Sequence, residues 1–153
     1  MGCCYSRQQK EKSIARSQPI TVDTATLDNV DRYVPPLHAG RVLKVYDGDT
    51  ITVATEINNI VYKVNIRLSG IDAPEMRAKS THEKQKAILA RDELARLVMG
   101  QHVTLSNIQI DKYGGRFVAS VGVYINNRLV DCSEHMLASG MARPYDGKTK
   151  DPW

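Results

Sequence analysis

A chain of 153 residues with 42% hydrophobic content fits one domain with a real core plus some tail. No apolar run approaches the ~20 residues that cross a bilayer, and the first residues lack the apolar stretch of a secretory signal. The net charge of +4 and pI near 9.0 bias the chain mildly towards anionic partners.

Much of that charge lies at one end. Arg7, Lys10, Lys12 and Arg16 face only Glu11 among the acids there, so the remaining domain is weakly basic. Any nucleic-acid contact is therefore expected in a groove and not over the whole surface. Cys3 and Cys4 are adjacent and Cys132 stands alone, which gives neither a disulfide framework nor a zinc spacing and favours a reducing compartment.

Taken in order, Met1-Gly2-Cys3-Cys4-Tyr5-Ser6 fits the N-myristoylation pattern, with Gly2 exposed after Met removal and Ser6 at the hydroxyl position. One myristoyl chain holds a membrane only marginally. Palmitoylation of Cys3 and Cys4 and attraction of the nearby basic residues to anionic lipid supply the second signal. The alternative is coincidence, since the pattern fixes few positions. In a eukaryotic host the reading places the protein at the cytoplasmic face of a membrane through its lipid anchor, and otherwise in the cytoplasm. Residues 1–35 form a flexible tether that ends at the stiff Pro35-Pro36.

Three strands are predicted next, Arg41–Tyr46, Thr50–Ile57 and Ile60–Ser69. Asp47-Gly48-Asp49 separates the first two, and Asn58-Asn59 makes a hairpin turn because Asn tolerates positive φ. Ser80–Met99 reads as a helix: Ser80 and Glu83 form a capping box, Ala87, Ile88, Arg91, Leu94, Ala95 and Val98 recur at helical spacing, and Gly100 stops it. Strands follow at His102–Ile110 and Phe117–Ile125, the latter with Phe117, Ala119, Val121, Val123 and Ile125 on one face. Asn126-Asn127 turns the chain again, Asp131 and Glu134 cap a short helix that Gly140 ends, and Met141–Trp153 shows no pattern. The class is α+β, mainly β. Its β-β-β-α-β-β-α order suits a five-stranded OB-fold barrel, with an open α+β sheet as the alternative. The domain spans residues 36–146, and 147–153 form a short tail.

Three polar clusters interrupt these elements, each at a strand end or turn: Asp47-Gly48-Asp49-Thr50, Arg67 with Asp72-Ala73-Pro74-Glu75, and Asp111-Lys112-Tyr113-Gly114-Gly115-Arg116. In the strand before the second, Val64, Ile66 and Leu68 share one face, so Arg67 points out of the core. Gly70 permits a turn and Pro74 stiffens the bend that presents Asp72 and Glu75. A guanidinium forks onto phosphate oxygens, and carboxylates bind a hard cation or take a proton from water. Read singly, the clusters are equally an Asp-Gly turn, a surface salt bridge and a solvated hairpin loop.

Together they resemble the staphylococcal nuclease (thermonuclease) family from roughly Pro35 to Tyr145. The resemblance rests on Asp-Gly-Asp-Thr, then Arg-Leu-x-Gly-Ile-Asp-x-Pro-Glu, then Asp-Lys-Tyr-Gly-(Gly)-Arg, in the family's order. It implies an OB-fold barrel and calcium-dependent, largely sequence-independent hydrolysis of DNA and/or RNA to products with 3′-phosphate ends, with Ca²⁺ as cofactor. By the same resemblance Asp49 and Asp72 are the calcium carboxylates and Ala73 lends its carbonyl. Arg67 and Arg116 bind phosphate, Glu75 is the general base, and Tyr113 lines the nucleotide pocket. The chain is expected to act as a monomer, with no protein partner inferred. The rival reading is an inactive nuclease-like module that binds nucleic acid or protein. Two departures mark the chain: Gly114-Gly115 stands where the family's prototype has one Gly, and Pro144-Tyr145-Asp146-Gly147-Lys148 stands in place of its long C-terminal helix.

Overall fold

The computed structural model describes residues 19–150, 152 and 153, so the expected lipidation sites Gly2, Cys3 and Cys4 lie outside the described residues. The chain divides into two compact units, one up to Tyr33 and one from Val34 to Trp153. In the first, the described residues form one short 3-10 turn, Val22–Thr24. Among the described residues no helix is long and apolar enough to cross a membrane.

In the second unit, β1 (Ala39–Asp47), β2 (Thr50–Ile57) and β3 (Ile60–Leu68) form one antiparallel meander, and β5 (His102–Ile110), β6 (Phe117–Ile125) and β7 (Arg128–Asp131) form another. Between them lie a two-residue strand, β4 (Ile71–Asp72), and the helix α1 (Thr81–Val98); α2 (Cys132–Ala138) and another two-residue strand, β8 (Arg143–Pro144), come last. The two Asn-Asn turns are what the strand twist demands. Asn58 and Asn59 have φ of 52° and 62°, and Asn126 and Asn127 have 49° and 61°, the left-handed pair of a tight hairpin.

The main sheet runs β3-β2-β1-β5-β6-β7. β3 also pairs in parallel with β6, through Ile66–Phe117, Arg67–Val118 and Leu68–Ala119. The pairings therefore return on themselves through β1, β2, β3, β6 and β5, around a core containing Ile51, Val53, Ile66, Leu68, Val121 and Val123. The mainly β, α+β class expected from the sequence is the class observed. β7 was not expected, because four residues are too few to show alternation; β4 and β8 are shorter still.

Ser80 caps α1 by accepting from the Glu83 amide at 3.5 Å. The return half of the expected capping box is absent, because the Glu83 carboxylate accepts from the Trp153 amide at 3.4 Å instead. The buried stripe is Ala87, Ala90, Leu94, Leu97 and Val98. Ile88, Arg91 and Ala95 are only partly covered, so the helix is rotated from the expected face. Close approach at Ala90 explains the rotation. A Cβ on Gly48 would lie 2.7 Å from Ala90 Cβ and 2.8 Å from Ala73 Cβ. Glycine at 48 thus lets the β1–β2 turn seat against both α1 and the Asp72-Ala73 bend.

The two helices are clasped by Glu93, which meets His135 Nε2 at 2.6 Å and Arg96 at 2.7 Å. The Arg96 and His135 bonds together hold its carboxyl down at about 2. Cys132 is fully buried, and burial with the Asp131 charge pushes its thiol up to about 12. It is a packing residue.

Gly48→Ala is expected to destabilise the protein by about 1–3 kcal/mol through overpacking, read as a lower urea midpoint with an unchanged slope. Glu93→Gln should remove a pH-dependent contribution. With the folded value near 2 and the ordinary one at 4.5, that contribution is present above about 4.5 and lost as pH falls towards 2. The difference in stability between wild type and Glu93→Gln should shrink across that window; a difference that stays constant contradicts the clasp.

Candidate active site

Asp49 is set by the turn between β1 and β2 and is 3% exposed. Its Oδ1 accepts from Thr50 Oγ1 at 2.8 Å and its Oδ2 from the Ala73 amide at 3.2 Å. The first and second clusters are therefore one structure. Asp47 lies beside it, and burial together with the Asp49 charge pushes its carboxyl up to about 7.

Arg67 occupies the last turn of the β3 ladder, on the side away from Ile66 and Leu68 as expected. It is nonetheless only 9% exposed. Its Nη2 sits 3.0 Å from Asp49 Oδ2, 3.4 Å from Asp72 Oδ1 and 3.3 Å from the Ile71 carbonyl, and the Tyr145 ring lies 5.5 Å from its guanidinium carbon. The second face of β3 thus leads into a charged interior and not to solvent. The planar, weakly hydrated guanidinium suits such a position.

The third cluster closes on itself. Asp111 accepts from the Tyr113 amide at 3.2 Å, and its own amide donates to the Arg116 carbonyl at 3.2 Å. The Arg116 guanidinium pairs with the Asp111 carboxylate. Burial pushes that carboxyl up, but the Arg116 bond, the Tyr113 amide and the Arg116 and Arg67 charges together offset it and leave Asp111 below its ordinary value. Gly114 and Gly115 both adopt positive φ, 70° and 71°, so the additional glycine is taken up inside the turn. Asp49, Arg67, Glu75, Tyr113 and Arg116 then line one cleft of about 350 Å³. The structure brings together five of the seven residues singled out for catalysis, metal or substrate. Asp72 and Ala73 sit behind that cleft, joined to it through Arg67 and Asp49.

What the sequence left unpatterned completes the site. β8 pairs with β4, placing Arg143 opposite Asp72. Lys150 Nζ lies 2.6 Å from Asp72 Oδ1 and 3.1 Å from Glu75 Oε1. Arg143 Nη2 and Trp153 Nε1 both lie 3.2 Å from Asp72 Oδ2, with the Arg143 guanidinium 4.3 Å from the Trp153 ring centre. Asp72 is 1% exposed. Burial pushes its carboxyl up, yet the bonds from Lys150, Trp153 and Arg143 carry it below its ordinary value. Glu75 stays largely open, with its side chain 64% exposed. Asp111, Arg143, Lys150 and Trp153 were missed as site residues. Only Asp111 carried a signal, its place five residues before Arg116 in one motif.

Asp49 and Asp72 are joined through Arg67, and the Ala73 amide is bonded to Asp49; two carboxylates and the Ala73 carbonyl are hard oxygen donors of the kind a calcium ion takes. Among the described residues no group of three or more His, Cys, Asp or Glu converges. Two carboxylates and one carbonyl are few ligands for calcium, so these residues would suit an open site that keeps several waters. Lys150 already places a positive charge on Asp72, and a bound cation has to compete with it.

A family profile described as staphylococcal nuclease homologue matches residues 65–152. A protein named an uncharacterized endonuclease, from Escherichia coli, is 34% identical over 116 residues, covering 74% of this chain and 65% of its own. One of the same name from Haemophilus influenzae is 33% identical over 112 residues, covering 73% of this chain and 55% of its own. Protein ParB of Escherichia coli is 33% identical over 122 residues, with 74% of this chain and 62% of its own covered. The chain thus spans less than two thirds of the length of each of these relatives.

The chain holds one tryptophan, so emission from Trp153 reports on Asp72. Acidification should redden that emission as Asp72 takes up its proton, at a pH below the ordinary carboxylate value of ~4. In Lys150→Met the transition should move to higher pH, because the lost ammonium favoured the ionised form. An unmoved transition means that Lys150 does not hold Asp72.

Proposed function

The chain belongs to the staphylococcal nuclease homologues, and from that premise we propose a calcium-dependent, sequence-nonspecific endonuclease that hydrolyses phosphodiester bonds of DNA and/or RNA to give 3′-phosphate ends. The observation that carries the reading is the single cleft in which two arginines, a buried aspartate and an open glutamate face one another. Relatives named endonucleases support it.

Arg67 and Arg116 clamp the scissile phosphate. A phosphate entering between them exchanges the Asp49 and Asp111 carboxylates for its own oxygens as partners. Both side chains already lie at the cleft wall, so little reorganisation accompanies the growth of charge on phosphorus. Glu75 is the acid free enough to take a proton from an attacking water. The water oxygen bonds to phosphorus, the bond to the 5′ oxygen breaks, and the departing alkoxide takes a proton from solvent water to leave as a 5′ hydroxyl. Asp49, Asp72 and the Ala73 carbonyl would hold calcium, which when bound supplies positive charge beside the phosphate. Tyr113, 74% exposed, offers a ring for a base to stack on. None of these groups reads a base edge, so cleavage is indifferent to sequence.

Plasmid DNA and RNA should be degraded with millimolar calcium and spared with chelator. Glu75→Gln should keep the fold and lower turnover about 10²-fold or more. Arg67→Ala should cost about 3–4 kcal/mol of transition-state stabilisation, and Arg67→Lys should recover little of it because an ammonium cannot fork. Near-wild-type cleavage by purified Glu75→Gln removes the base assignment; normal cleavage by Arg116→Ala removes the third cluster from the mechanism.

A further inference from the structure

The cleft continues beyond Arg116. Tyr46, Tyr113 and Arg116 also line a wider groove of about 530 Å³ that runs across the three-stranded meander. Its floor is one rung of the sheet: Lys44 on β1 is the neighbour of Thr52 on β2, which is the neighbour of Asn65 on β3. Residues on either side of this rung, Val45, Ile51, Val53 and Ile66, enter the core, so Lys44, Thr52 and Asn65 face away from it. Thr52 Oγ1 donates to Asn65 Oδ1 at 2.9 Å, so Asn65, which lines the groove, keeps its amide nitrogen as a donor.

Two aromatic rings stand at its side, Tyr46 at 38% and Tyr113 at 74% exposure. Each has a lysine ammonium near its face, Lys44 at 5.7 Å from Tyr46 and Lys112 at 5.1 Å from Tyr113. Among the described residues no Asp or Glu lines the groove. The opposite flank of the cleft carries Asp111 and Asp146 among its cations Arg67, Lys112, Arg116 and Lys150, and the Asp72 side is filled by Lys150 and Trp153.

We propose that this groove is a subsite for the nucleotides flanking the cleaved bond, taking a single-stranded polynucleotide with bases on Tyr46 and Tyr113 and a phosphate on Lys44. The inference rests on the nuclease reading, which puts the scissile phosphate at Arg67 and Arg116. A polynucleotide does not stop at that phosphate; it must run on in both directions, and the groove is the acid-free way out. Ring faces with adjacent cations bind strands without regard to sequence, since every base has a face to stack. Asn65 adds a donor that every base or sugar can meet.

The test is fluorescence anisotropy with labelled oligothymidylates of about four and about twelve nucleotides, spanning the site sizes of a small β-barrel, in chelator so that nothing is cut. The wild type should bind the longer strand more tightly than the shorter. Tyr46→Ala should weaken binding of the longer strand about tenfold, and Tyr46→Phe should restore it, since the ring and not the hydroxyl is used. Lys44→Ala should flatten the salt dependence by about 0.7 in log–log slope, one phosphate contact on a single strand. Circular dichroism checks that each variant is folded, and both side chains are on the surface. A wild type that binds neither strand overturns the proposal, as do Tyr46→Ala and Lys44→Ala proteins that bind the longer strand as the wild type does. Plasmid cleavage by the wild type in calcium is measured alongside. Tyr46-dependent binding without cleavage retires the nuclease reading and leaves the subsite standing.

Discussion

One guanidinium nitrogen holds the site together. Arg67 Nη2 reaches Asp49, Asp72 and the Ile71 carbonyl at once, and through them joins the β1–β2 turn to the bend after β3. The main chain reinforces the joint: the Leu68 amide donates to the Asp49 carbonyl at 2.8 Å and the Ser69 amide to the Ala119 carbonyl at 2.9 Å. Without that cation the buried Asp49 would lose its ion pair and carry a desolvation penalty of several kcal/mol, whereas Asp72 would keep Lys150 and Arg143. The same side chain therefore fixes the acids at rest and faces the cleft for an incoming phosphate.

Around that link the charges are arranged in opposed layers. Asp47, Asp49, Asp72 and Glu75 gather against Arg67, Arg143 and Lys150, and Asp111 holds Arg116 at the far wall. The neighbouring cations carry Asp72 and Asp111 below their ordinary values, whereas burial and the Asp49 charge push Asp47 the other way. Such a site is balanced in charge, and the function proposed for it requires these partners to exchange: phosphate for carboxylate at the arginines, and a metal ion for the ammonium at Asp72. The dense packing of Gly48 against Ala73 and Ala90 keeps these groups in register while partners exchange.

The parts legible in the sequence were those with a local cause. Alternating β-branched residues gave away β2, β5 and β6 to the residue, the Asn pairs marked the hairpins, and Ser80 and Asp131 marked the starts of both helices. The three polar clusters were visible because each combines turn residues with charge. What was hidden depends on long-range pairing. The burial of Arg67 follows from the Tyr145 ring and two acids elsewhere in the chain, and no period along β3 reports it. β8 is two residues long, and its partner β4 is far away in the sequence. Lys150 and Trp153 sit in a stretch without helical or strand pattern, so nothing local shows that they close over Asp72. Glu83 shows the same effect in reverse: a sound local motif is half undone because Trp153 competes for its carboxylate.

The central claim is that Arg67, Arg116 and Glu75 together direct water to phosphorus and expel the 5′ oxygen. End-group analysis of oligonucleotides digested by the full-length protein in calcium addresses it most directly. The account predicts 3′-phosphate and 5′-hydroxyl ends on every fragment, and none when the metal is chelated. Fragments bearing 5′-phosphate ends, or equal digestion in chelator, would contradict it.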